Sequence, residues 1–99
     1  MKTAKELVDQ INAAEINAPH NVDEAIDMAG VSKVATIDLD EHRWYTTGTV
    51  IYRVGSEFFG VNGPVSLKSE DMSYSDIGMT CEAFEMEEVP SVTYRAKQA

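Results

Sequence analysis

The 99-residue sequence is poor in the groups that covalent and metal chemistry require. Cys81 is the single cysteine, which excludes a disulfide within the chain, and no Cys-x-x-Cys or Cys/His spacing exists for a structural zinc site. A buried, inert thiol is the expectation. No apolar run approaches the roughly 18 residues of a membrane span, and the opening MKTAKELVDQ turns polar at once, where a signal peptide would become hydrophobic. The expected location is cytoplasmic. Positive charge is also scarce: eight Lys and Arg stand against seventeen Asp and Glu, a formal charge of −9. That balance disfavours direct contact with nucleic acid or anionic membrane, whose phosphates need cations, and favours basic partners. The shortage is sharpest from Glu70 to Glu88, which holds Glu70, Asp71, Asp76, Glu82, Glu85, Glu87 and Glu88 and no Lys or Arg.

What is present reads as one domain over residues 1–99, helical over 1–30 and β-rich over 32–97. An apolar content of 43% lies well away from the composition of disordered chains. Thr3 followed by Glu6 fits a capping box at a helix start. Leu7, Val8, Ile11 and Ala14 then recur at three- and four-residue spacing, while Glu6, Asp9, Gln10 and Asn12 fill the polar side. Asn21 with Glu24 opens a second helical stretch through Val22, Ala25, Ile26 and Ala29, with Gly30 placed to stop it. Neither helix is long enough to stand alone, so both should dock on a sheet.

The centre of that sheet is the stretch from Trp44 to Asn62. With Gly55-Ser56 as a type II′ turn, Val54 faces Glu57, Tyr52 faces Phe59 and Val50 faces Val61, which gives one apolar surface reaching to Trp44. Tyr45, Thr47, Thr49, Ile51, Arg53 and Phe58 take the other face. Upstream, Ala35, Ile37 and Leu39 alternate with Thr36, Asp38 and Asp40 as in a half-buried strand, with a turn from Asp40 to Arg43. Gly63-Pro64 should interrupt the hairpin, leaving Val65 to Ser69 as a short or edge segment. Ser73 with Asp76 can cap a single helical turn. Two final strands, joined through Glu88-Val89-Pro90, would set Met86 against Val92 and Phe84 against Tyr94, with Glu85 and Glu87 toward solvent. The expected fold class is therefore α+β: two short N-terminal helices packed on a bent antiparallel sheet of four to six strands.

The acidic segment is the foremost candidate site. Glu85 and Glu87, two residues apart on a strand, should lie about 6–7 Å from one another, close to the phosphate step of a nucleic-acid strand. Such a ridge can dock into a basic groove, although acidic strand faces also serve solubility alone. Tyr74, inside the segment, and Tyr45 and Phe58 offer aromatic anchors, and Phe58 can equally lie under a helix. Asp38, Asp40 and His42 share i, i+2, i+4 spacing, but a turn at Asp40 explains the carboxylates without an ion. No metal, cofactor or catalytic residue is assigned. Cys81, His42 and His20 lack a local nucleophile signature, and Gly55, Gly60 and Gly63 lack the strand-to-helix context of a phosphate loop.

The series Trp44-Tyr45, Val50-Ile51-Tyr52, Phe58-Phe59-Gly60-Val61, Ser69-Glu70, Met72-Ser73-Tyr74, Asp76-Ile77-Gly78 and FEMEEVPSVTY from Phe84 to Tyr94 resembles small acidic proteins of phages and mobile elements in Gram-positive bacteria. The resemblance covers about Asp38 to Arg95 and carries no catalytic motif. It implies a setting in which small acidic proteins act as inhibitors of host enzymes, anti-CRISPR proteins among them. With the base-free acidic segment, the expected function is a non-enzymatic inhibitor or decoy that binds a basic nucleic-acid-handling host protein, a CRISPR nuclease by analogy, through Glu70, Asp71, Tyr74, Asp76, Glu82, Glu85, Glu87 and Glu88. The alternatives are a self-associating structural or assembly module of a phage or mobile element and a small metal-dependent enzyme.

Overall fold

Opposed side chains that must share a face fix the central pairing. In the computed structural model, which describes residues 3–89 and 93–96, strands β2 (Tyr45–Val54) and β3 (Glu57–Leu67) pair Val54 with Glu57, Tyr52 with Phe59 and Val50 with Val61. Gly55 has φ 61° while Ser56 keeps a negative φ, the combination a type II′ turn requires. Gly63-Pro64 does not end the strand: Pro64 pairs with Thr47 and β3 continues to Leu67 after one bulge at Thr46/Thr47. The reason lies on the other side of β3, where the next strand pairs only with Phe58 to Asn62. Among the described residues Pro64 has a single ladder neighbour, so the missing N–H can face away from it.

Strands β1 (Val31–Glu41), β4 (Glu82–Val89) and β5 (Thr93–Ala96) complete a five-stranded antiparallel meander in sequence order. With a few short helices, the class is α+β. The β4–β5 register differs from expectation: Tyr94 pairs with Glu88 and Met86 with Ala96, so Val89 stays in the ladder, opposite Thr93. The shift is an even number of residues and therefore leaves the faces unchanged. Val92 and residues 97–99, on which other expectations fall, lie outside the described residues.

Two bulges in β1, between Lys33 and Ala35 and between Ile37 and Asp40, overturn the simple alternation expected there. Val31, Lys33 and Thr36 stand opposite Val54, Tyr52 and Val50, whereas Ala35 and Ile37 stand opposite Ile51 and Thr49. Asp38 adopts φ 54°, and Leu39 returns to the first face, its Cδ2 2.9 Å from where a Cβ on Gly48 would stand. The apolar trio is thus split across the sheet, because each bulge adds one residue and reverses the side-chain parity.

Helix α1 (Ala4–Ala14) covers the face that carries Val50, Tyr52, Val54, Phe59, Val61, Cys81 and Ala83. It contributes Ala4, Leu7, Val8 and Ile11, and Ile16, not the exposed Ala14, extends the stripe. Burying side chains such as Leu7, Ile11 and Phe59 contributes about 1.5–3 kcal/mol each, which an eleven-residue helix could not supply from propensity alone. The helix start is capped twice: the Glu6 N–H donates to Thr3 Oγ1 at 3.2 Å, and the Ala4 N–H donates to Glu57 Oε1 at 3.3 Å. Glu15 ends it in the left-handed region with φ 51°.

The second helical stretch is shorter than its sequence suggests. A 3₁₀ turn, Pro19–Asn21, leads into α2 (Val22–Ala25), a single turn; Asn21 gives no side-chain cap, its Nδ2 donating to Asn17 Oδ1 at 2.8 Å. Ile26 is already extended, which turns Ile26 and Met28 against the core. Asp27 Oδ1 then takes the Ala29 N–H, an Asx turn that holds the chain out of the helix.

On the opposite sheet face, Ile51 and Met86 are buried and Phe58 and Phe84 half-buried. The space over Gly60 is filled by Met86 and Phe84: a Cβ there would lie 2.6 Å from Met86 Sδ and 3.2 Å from Phe84 Cε2.

The joint between helix and sheet edge is polar. Asn12 Nδ2 donates to the Ala83 carbonyl at 3.0 Å, and the Ala83 N–H donates to Asn12 Oδ1 at 2.8 Å. One residue pair beyond, the Cys81 N–H donates to the Ile16 carbonyl at 2.7 Å. Among the described residues β5 pairs with Met86 to Val89, and the groups of Ala83 that face away from β3 are taken by Asn12. Asn12, which the sequence places on the polar side, therefore does the work of a neighbouring strand.

Two expectations follow for stability. Asn12→Ala should cost about 1–3 kcal/mol, because both backbone groups of Ala83 lose their partner; in a chain of this size thermal unfolding should drop by several degrees. Cys81 is a pH-sensitive core group, since burial pushes its thiol from the ordinary 9.0 to about 11. The unfolded chain releases that proton first, so its contribution is complete below pH 9 and is lost as pH rises through the interval to about 11. Denaturant midpoints measured across that interval should fall, and fall less in Cys81→Ala.

Candidate functional site

The carboxylates of the acidic segment reach different parts of the surface because they sit on different elements. Glu70 and Asp71 are exposed in the turn after β3, where the Asp71 N–H donates to Ser69 Oγ at 3.3 Å. Asp76 is engaged structurally: its Oδ2 accepts the Ser73 N–H at 2.9 Å in the capping box of α3 (Tyr74–Ile77), a single turn closed by Gly78 at φ 71°. Tyr74 packs edge-on against His20, ring centres 4.6 Å apart, and so ties this turn to the Pro19–Asn21 segment.

Along β4, alternation divides the acids between faces. Glu82 pairs with Asn62 and is exposed on the face away from α1, beside Phe84 and Met86 in the alternation. Glu85 pairs with Phe59 and shares the α1 face with Glu87. The expectation that both point to solvent is corrected: they are half-buried and, with Glu57, Ser56 and Ala4, line a hollow of about 300 Å³ at the start of α1. The helix N-terminus is a favourable place for carboxylates. Glu88 lies in β4 opposite Tyr94. The seven acids therefore form no single ridge: Glu82 is separated by the sheet from Glu85 and Glu87.

The Asp38, Asp40 and His42 spacing is broken by the bulge between Ile37 and Asp40. His42 Nε2 lies 3.5 Å from Asp40 Oδ2 and 3.2 Å from Thr47 Oγ1, and its ring stacks on Tyr45 at 4.7 Å. Among the described residues no three His, Cys, Asp or Glu side chains are grouped to hold a metal ion. Beside them, Trp44 is 48% exposed on the β1–β2 turn, with the Arg43 guanidinium 4.9 Å over its ring, so it does not extend the core surface. Cys81 is buried among core side chains and has no His beside it in that cluster.

A second concavity, not foreseen from sequence, lies on the core face beyond α1. It is a cleft of about 500 Å³ with Pro19, Val50, Tyr52 and Val65 beneath and His20, Asp23, Lys33, Thr36 and Leu39 around it. Tyr52 Oη donates to the Pro19 carbonyl at 3.5 Å, and its ring stacks on Phe59 at 5.3 Å. Burial, then the charge of Asp23 and then Cys81, push the Tyr52 hydroxyl upward, so it remains a donor across the neutral range. Strict alternation would have put Lys33 with Ala35 and Leu39; only the bulges bring Lys33, Thr36 and Leu39 together on this face. Val34 and Asp38, a β-branched residue and an acid within the run, carry no signal that distinguishes a bulge.

No membrane-length apolar helix occurs among the described residues. Comparisons with protein-family models, with curated proteins and with solved structures give no match to this chain.

Proposed function

We propose that the protein is a non-enzymatic acidic inhibitor or decoy of a phage or mobile element, acting in the host cytoplasm on a basic nucleic-acid-handling protein, with a CRISPR nuclease as the partner class. The observation that carries this reading is the joint placement of Glu57, Glu85 and Glu87, from two adjacent strands, around the start of α1. Carboxylates on a rigid strand pair lose little freedom when a cationic groove closes on them, and the excess negative charge of the chain steers the approach. The partner-binding set from Glu70 to Glu88 is refined accordingly: Glu85 and Glu87 form the contact, Glu70 and Asp71 add long-range attraction, and Asp76 serves α3.

Self-association of an assembly module is the weaker reading. It would draw on the exposed Trp44, Leu39 and Val34. The β1 edge, however, is interrupted by two bulges, a feature that blunts edge-to-edge pairing.

A DNA-cleavage assay with an RNA-guided nuclease, whose heteroduplex channel is positively charged, tests the proposal. The protein should inhibit cleavage, and inhibition should weaken as salt is raised. Glu85→Lys with Glu87→Lys should weaken it by about tenfold or more, and Glu82→Lys, on the other face, by much less. Equal inhibition by the double variant and the parent, with circular dichroism showing both folded, would overturn the assignment.

A further inference from the structure

The cleft beside α2 has the chemistry of a small-molecule site, and its residues are separate from the acids of the proposed partner surface. Its volume of about 500 Å³ lies within the range of ligand pockets. Its floor is apolar and firm: Val50 and Tyr52 are buried in the core cluster, Pro19 is buried, and Val65 packs against the same cluster. Two opposite charges stand on its rim, Lys33 from β1 and Asp23 from α2. Each is exposed, and among the described residues neither forms an ion pair, with the other or with any third group.

The backbone is shaped to make this arrangement. Regular alternation cannot place Lys33, Thr36 and Leu39 on one face, since they are three residues apart; two added residues in β1 do so. One of these bulges holds Asp38 at φ 54°, a region that L-residues seldom adopt. It also leaves Leu39 63% exposed over the cleft mouth. A bulge that exposes leucine gives nothing to the core, whereas as one wall of a binding site it supplies apolar contact.

We infer that this cleft binds a small zwitterion with an apolar side chain, the chemistry of a free hydrophobic amino acid. The side chain lies on Val50, Tyr52 and Val65 with Leu39 as a wall. The carboxylate goes to Lys33 and the ammonium to Asp23, which satisfies both charges and leaves the cleft neutral. A simple fatty or aromatic acid would meet Asp23 as a like charge, and a simple amine would meet Lys33. Charge complementarity thus selects against both.

The test is an amide chemical-shift titration of the full chain with L-phenylalanine and L-leucine, alongside N-acetyl-L-phenylalanine and L-phenylalaninamide. The free amino acid should produce saturable shifts at Lys33, Thr36, Val50 and Tyr52, and each capped form should bind about tenfold more weakly. Lys33→Met should abolish the preference over the amide, and Asp23→Asn the preference over the acetyl form; both positions are exposed, so the variants should fold. The proposal is overturned if neither amino acid gives saturable cleft shifts up to about 10 mM, if the capped forms bind as well as the parent, or if the shifts map elsewhere. None of these results bears on nuclease inhibition, so the two proposals fail independently.

Discussion

Asn12 holds both polar groups of Ala83 and so joins the one substantial helix to the sheet. The apolar stripe of α1 supplies most of the burial energy, but burial is non-directional and would tolerate sliding. Three polar ties fix the position: Glu57 at the first residue of α1, Asn12 in its third turn, and the Ile16 carbonyl just beyond its end. They run to Glu57 of β3, to Ala83 of β4 and to Cys81 directly before β4, so the helix is tied to β3 and β4 along its length. The same ties satisfy backbone groups of Cys81 and Ala83 on the β4 edge, where unpaired N–H and C=O groups would invite another chain.

Both concavities follow from how this unit meets the rest of the sheet. Because α1 lies toward β4, its N-terminus meets Glu57, Glu85 and Glu87. The β1 side of the same face is left to the short Pro19–Ala25 segment, which cannot fill it. The bulged β1 brings Lys33, Thr36 and Leu39 over that gap. One placement thus produces a carboxylate-lined hollow at one end and an apolar cleft with balanced charges at the other.

The sequence made the hairpin legible because its constraints are local: a Gly-Ser turn, period-two patterning and opposed apolar pairs leave one workable register, which β2 and β3 adopt. The Thr3 cap and the Ser73–Asp76 box were legible for the same reason, each being completed within four residues. What escaped is non-local or depends on parity. Asn12 reads as a surface asparagine, since Ala83 lies 71 residues away. The β1 bulges reverse the parity of Leu39 relative to Ala35 and Ile37 without any glycine to mark them. The acidic segment is continuous in sequence yet divided in space, because one strand sends Glu82 and Glu85 to opposite faces. Similarly, Gly63-Pro64 reads as a strand end unless it is known that β3 has one ladder neighbour there.

The proposed docking on a basic partner would need Glu85 and Glu87 held on a surface that does not shift, and the Asn12 joint ties the same strand, β4, to α1. Amide hydrogen exchange at Ala83 measures the joint directly, because its N–H is bound by a side chain and not by a strand. In the parent protein the Ala83 amide should exchange as slowly as the central β3 amides, and in Asn12→Ala its protection should collapse while that of Val50 and Phe59 falls only with global stability. Fast exchange of Ala83 in the parent, or unchanged protection in the variant, would contradict the account.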